Sequence, residues 1–337
     1  MALLIAGGPL TVRRVAFVLA LLSALLVLTM VISLSVGSAP IPLSKVLAVL
    51  WGDPKAGETE RTIILDIRLP RVLLALLVGS GLSVAGVALQ ALLRNPLAEP
   101  YILGISSGGT AGAILAAGVT FGAGTVTTPI ASFLGSALVM ALVYLLAQRR
   151  GQLDTYTLLL SGVMVGAFFN AAVLLVVAVF NQELRHAFLW LMGNLSMATT
   201  ESLVVVAPPL VAAVVLIFLQ ARSFNLIATG DESALQLGVE VSRVKRGAYL
   251  LASLITGLVV SVSGVIGFVG LIIPHLCRLL FGPDHRLLLP ASFLAGGMFL
   301  IVADIVARTV LAPTEIPVGA VTAALGAPLF IYLLKKS

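Results

Sequence analysis

The chain has 337 residues, of which 60% are hydrophobic and only 10% charged, with a mean hydropathy of +1.15. A soluble domain carries about a quarter charged residues, so this composition excludes a soluble enzyme and points to an all-α polytopic membrane protein. The net charge of +6 sits singly or in pairs at the ends of apolar segments, never as a stripe interleaved with aromatics, which excludes a nucleic-acid surface.

Apolar segments of spanning length run over 15–36, 72–93, 101–119, 128–147, 156–180, 203–220, 247–265, 266–281, 289–311 and 317–334. The first follows Arg13-Arg14 and is too long for the apolar region of a signal peptide, so it reads as a retained helix. Long apolar stretches with brief polar turns satisfy their backbone groups as helices; a barrel would need short alternating strands. The stretch 247–281 is split near 264–270, because 35 unbroken residues would make about 50 Å of helix against a hydrocarbon core of about 30 Å. Ten transmembrane helices in one bundle, a single transmembrane domain over 1–337, place both termini on one side. With the termini cytoplasmic, 13 of the 20 basic residues fall inside, and most of the others lie beside acids. Small residues at close-packing spacing, Gly79/Ser83, Gly104/Gly108/Gly112 and Gly162/Gly166, predict tight helix contacts.

The connections carry the chemistry. Arg94-Asn95-Pro96-Leu97-Ala98-Glu99-Pro100 is a polar, proline-punctuated patch wedged between two apolar stretches. Pro274, beside His275 and following the glycine-rich 264–270, is the best candidate for a broken helix. The outside segment 181–201 holds an amphipathic patch around Trp190 that predicts a short surface helix over 188–192 or a gate element. The inside segment 222–246 predicts another, capped by Thr229 or Asp231 and ended by Gly238. Its apolar Ala234, Leu235 and Leu237 are unusual for a purely solvated element and invite a cytoplasmic partner.

Phosphate-loop, His-Glu-x-x-His, Cys-x-x-Cys and Gly-x-Ser-x-Gly motifs are absent from the sequence, and Cys277 is the single cysteine. His186, His275 and His285 are too spread for one metal site. Within the spans, Asp304 and Arg308 lie four apart on one helix face and pair. A lone mid-span carboxylate argues against a proton-coupled carrier working alone.

Arg68-Leu-Pro-Arg71, Gly86-Val-Ala-Leu-Gln90, Asn95-Pro-Leu-Ala-Glu-Pro100 and Leu103-Gly-Ile-Ser-Ser107 resemble the permease subunit of bacterial ABC importers (type II) for cobalamin, haem and ferric siderophores. So do Gly267-Phe-Val-Gly-Leu-Ile-Ile-Pro-His-Leu-Cys-Arg278, Asp304-Ile-Val-Ala-Arg308 and Glu315-Ile-Pro-Val-Gly319. The resemblance implies a ten-helix subunit of the bacterial inner membrane, not itself catalytic, that pairs with a second copy, by default identical. It implies two cytoplasmic ATP-binding subunits, which carry ATP and Mg, and a periplasmic substrate-binding protein; this chain binds no cofactor or metal. Haem or a ferric siderophore is preferred to cobalamin because many family members serve iron supply. Asn95, Pro96, Glu99, Pro100, Gly104, Pro274 and His275 match the family signature. Arg68, Arg71 and Arg308 match outward arginines that receive glutamates of the binding protein, and all three are expected on one docking surface. Asp231, Ala234, Leu235, Leu237 and Gly238 match a coupling helix that seats in the ATPase.

Overall fold

The computed structural model describes residues 10–37, 39–53, 57–119, 127–149, 152–179, 192–196 and 198–336. The helices are α1 (Val12–Ser35), α2 (Leu43–Leu50), α3 (Glu58–Leu93), α4 (Ile105–Val119), α5 (Thr127–Ala147) and α6 (Thr155–Val179). After them come α7 (Thr200–Leu219), α8 (Ala221–Ala228), α9 (Asp231–Gln236), α10 (Val241–Ser263), α11 (Val269–Phe281), α12 (His285–Thr309) and α13 (Val318–Lys336). Seven of these, α1, α3, α5, α6, α7, α10 and α12, are long and apolar enough to cross a membrane; α4, α11 and α13 hold shorter apolar helices. The protein is therefore a multi-pass membrane protein, nearly all helical. One departure from helix is a two-residue antiparallel ladder, Gln148–Arg149 with Gln152–Leu153. The expected surface helix at 188–192 lies outside the described residues, apart from Met192.

Helix α3 is the axis of the bundle. Its 36 residues make about 54 Å at 1.5 Å per residue, and from Pro70 to Leu93 nearly every side chain is buried. Glycine is what lets its neighbours reach it. A Cβ on Gly79 would occupy the place of the Gly296 carbonyl of α12, and one on Gly86 the place of the Gly270 carbonyl of α11. Gly108 and Gly112 of α4 meet Gly135 and Ala131 of α5 in the same way, and Gly162 and Gly166 of α6 lie against Leu103 and Gly104. Lipid supplies no hydrophobic drive between helices, so such backbone-level contact has to supply the dispersion energy that joins them. The predicted small-residue pairs thus sit at helix contacts.

One local feature has its cause in proline chemistry, and one where proline was expected to act does not. Pro70 has no N–H to return to the carbonyl four residues back, and α3 widens into a π turn over Ile63–Arg68 just before it. Between α10 and α11 the chain is non-helical over 264–268, as the split near 264–270 anticipated, but the break rests on glycine rather than on Pro274. Pro274 lies within α11. The carbonyl it leaves without an intrahelical donor, Gly270 O, accepts from Gln90 Nε2 of α3 at 3.3 Å, so the helix continues through the proline.

Candidate functional site

Three clusters hold the residues singled out from the sequence. The first joins the end of α1 to α3 and α12. Arg68 donates through Nη1 to Leu34 O at 2.7 Å and Ser35 O at 3.2 Å, and through Nη2 to Ala39 O. Arg308 donates to Ser33 Oγ at 2.8 Å and to the carbonyls of Ser33 and Val36, both at 3.4 Å. Both guanidinia therefore serve the last carbonyls of α1, which have no intrahelical donor and carry the negative end of the helix dipole. Asp304, 1% exposed, accepts from Arg71 Nε at 2.9 Å and pairs with Arg308 Nε at 3.0 Å. Arg71 Nη1 reaches Glu315 at 2.9 Å, and Glu315 is the exposed member, with 38% of its side chain accessible.

The sequence reading put Arg68, Arg71 and Arg308 on one outward docking surface. The structure brings the three together, and within this chain they are 6%, 8% and 4% exposed, each turned onto an acceptor of the bundle. The reason is the low-dielectric setting. A guanidinium buried there needs acceptors for its donors, and Asp304, Glu315 and the α1 carbonyls are the acceptors that packing supplies. The predicted Asp304–Arg308 pair is present.

The second cluster is the signature loop. Asn95 Oδ1 accepts the Leu97 N–H at 2.9 Å, a turn that Pro96 enters at no cost in donors. Gln90 Nε2 also reaches Ala98 O at 3.4 Å, and Arg278 Nη2 donates to Gln90 Oε1 at 2.8 Å, so one glutamine ties α3, the loop and α11 together. Glu99 accepts the N–H of Phe268, and Tyr101 Oη accepts the N–H of Ile266 at 2.6 Å. These two contacts hold the non-helical 264–268 segment where Phe268 takes a left-handed backbone conformation, φ 69°, a strained state for a side chain of that size. Burial pushes the Glu99 carboxyl up to about 7, against the lowering effect of the Phe268 N–H, and its Oε2 has no partner. Pro100 packs on Gly270, and Gly104, φ 72°, ends the turn Pro100–Leu103. Pro274 is buried in α11, while His275 Nδ1 is buried without a hydrogen-bond partner.

The third cluster is the α8 to α10 region. Gly230 occupies the N-cap of α9 with no side-chain hydrogen bond. Thr229 Oγ1 instead donates back to Leu226 O at 2.8 Å, which corrects the expected Thr229 or Asp231 cap. Asp231 is engaged by Arg94, at the end of α3, and by Lys245 Nζ of α10 at 2.6 Å. Lys245 is 11% exposed, so that pair is better shielded than the Arg94 contact, whose partners are each about two-fifths exposed. Gly238 follows the helix at φ 83°, the left-handed stop that its position predicted. Ala234 is buried against Ile227 and Val241, whereas Leu235 and Leu237 are 58% and 64% exposed.

Glu315, Gln90 and Lys245 were not picked out as site residues. Glu315 and Gln90 lie in the quoted motifs, but nothing local assigns them Arg71 and Gly270, 244 and 180 residues away. Among the described residues, no group of three or more His, Cys, Asp or Glu is placed to hold a metal ion.

Residues 25–336 match the FecCD transport family. The chain belongs to that family. It is 41% identical over 319 residues to the hemin transport system permease protein HmuU of Yersinia pestis, covering 92% of this chain and 94% of that one. It is 43% identical over 279 residues to the cobalamin import system permease protein BtuC of Halobacterium salinarum, covering 82% and 74%. A solved structure described as an inward-facing conformation of a metal-chelate type ABC transporter superposes with a TM-score of 0.85 at 33% identity, over 96% of this chain and all of that one. The resemblance read from the motifs is thereby established, and the protein is an ABC importer permease of this family.

Proposed function

We propose that this chain is the membrane subunit of an ATP-driven importer that moves haem or a ferric siderophore from periplasm to cytoplasm across a bacterial inner membrane. In this reading it spans the bilayer ten times with both termini cytoplasmic, pairs with a second copy, and works with two ATP-binding subunits and a periplasmic binding protein. The observation that carries the ATP-driven part is α9: two exposed leucines on a short helix whose Asp231 is fixed to α3 and α10. An apolar knob held on two spans suits a cytoplasmic ATPase, whose movement would reach the bundle through Asp231, Ala234 and the Gly238 stop.

The binding protein would meet the opposite end, at the arginine cluster. Arg71 would become available there as Glu315 gives way, with Arg68 and Arg308 supporting from beneath. Complementary charge at such a site chiefly sets orientation and encounter rate. A cobalamin permease is the second reading, supported by the BtuC relative.

The test is uptake into proteoliposomes containing this permease, its co-purified ATPase and cognate binding protein, loaded in turn with haem, a ferric siderophore and cobalamin. ATP-dependent uptake of haem or the siderophore is expected. Uptake by the permease alone without ATP would refute the proposal in favour of a stand-alone carrier, and uptake of cobalamin alone would move it to the second reading.

A further inference from the structure

A cavity of about 300 Å³ opens where α7 ends and α12 begins, lined by Phe218, Leu219, Ala221, Arg222, His285, Arg286, Leu289 and Pro290. That size is at the lower limit of small-ligand sites. Its wall is apolar, and two guanidinia stand at its rim. Arg286 spends Nε and Nη2 on the Asp284 carboxylate, at 3.0 and 2.6 Å, which leaves Nη1. Arg222 is exposed and forms no salt bridge among the described residues. The acid of the neighbourhood is already engaged, because Asp284 also accepts from Asn225 Nδ2 at 2.8 Å and from the Arg286 N–H at 3.0 Å. His285, buried in the wall, contacts Asn225 Oδ1 through Nδ1 at 2.7 Å. Arg222, Arg286 and Asp284 together leave the rim with one net positive charge.

The approach to the cavity is equally specific. Val204, Val211, Val215 and Leu219 recur at helical spacing along α7 and are 67%, 44%, 48% and 76% exposed. They form an apolar track of about 22 Å that ends at the cavity. In a membrane such a track lies along acyl chains, and the level where α7 ends and α12 begins is where headgroups lie. A basic pocket between helix ends, continuous with an apolar track, has the amphipathic form of a phospholipid.

We infer that this cavity is a binding site for an anionic phospholipid, its phosphate between Arg222 and Arg286 and an acyl chain along α7. The inference needs only that these helices span a bilayer, so it stands or falls independently of the importer's substrate and partners.

The test is native mass spectrometry of the full chain in detergent, with phosphatidylglycerol or phosphatidylcholine added. The wild type should keep phosphatidylglycerol under activation that strips phosphatidylcholine. Arg222→Gln and Arg286→Gln should each weaken that retention roughly fivefold, the worth of one basic side chain near a lipid surface. Arg222→Lys should largely restore it, and Arg243→Gln, which removes a cation elsewhere on the same end, should leave it unchanged. Matching thermal melts would certify that the variants fold. Equal retention of both lipids, or an equal loss in Arg243→Gln, would overturn the inference. Displacement of the lipid by millimolar glycerol phosphate would assign the pocket to free phosphates instead. Unchanged lipid retention with lost ATPase assembly would make it a protein-docking face and refute the lipid reading.

Discussion

Replacing Asp304 with Asn strips the charge that two buried guanidinia share. Arg71 and Arg308 reach its carboxylate at 2.9 and 3.0 Å, and the three side chains are 9%, 5% and 1% exposed. Removing one partner of a buried ion pair costs about 3–5 kcal/mol, because the remaining charge is left uncompensated. Glu315 still faces Arg71, and the asparagine carbonyl can still accept one hydrogen bond, so the lower end applies, about 3 kcal/mol. That is about two orders of magnitude in the folding equilibrium. Unfolding in mixed micelles, followed by tryptophan fluorescence, would read it. Arg308→Met in the same background should recover part of the loss, since it removes one of the stranded cations, giving a coupling of about 1–2 kcal/mol in a double-mutant cycle. A cost below about 1 kcal/mol for Asp304→Asn, or simple addition of the two changes, would refute the reasoning.

Glu99→Gln should flatten a pH dependence of stability. The folded carboxyl, raised by burial to about 7 from 4.5, holds its proton more tightly than the unfolded one. Its contribution is therefore fully present below about pH 4.5 and lost as pH rises to about 7, by about 3 kcal/mol. Superimposable pH profiles for wild type and variant would contradict this. Leu235→Asp, at an exposed position, should leave thermal stability within about 0.5 kcal/mol and reduce ATPase-coupled uptake at least tenfold; full-rate transport would remove Leu235 from the coupling contact.

What was legible in the sequence is what local pattern encodes. An apolar run of spanning length must satisfy its backbone as a helix wherever it lies in lipid, so each predicted apolar segment coincides with a helix. Gly264, at φ 67°, ends one helix through its own backbone freedom, and Asp304 and Arg308 meet because four residues make about one helical turn. Gly238 stops α9 for an equally local reason.

The tertiary structure alone decided where the side chains of the site point. Nothing near Arg68 in sequence places it on the carbonyls that end α1, and nothing near Arg71 assigns it Asp304 and Glu315, more than two hundred residues away. The cap of α9 followed the same logic, with Asp231 drawn to Arg94 and Lys245 rather than to its own helix. A long charged side chain in a low-dielectric bundle goes to whichever acceptors packing brings within reach, and those acceptors exist only once the helices have met.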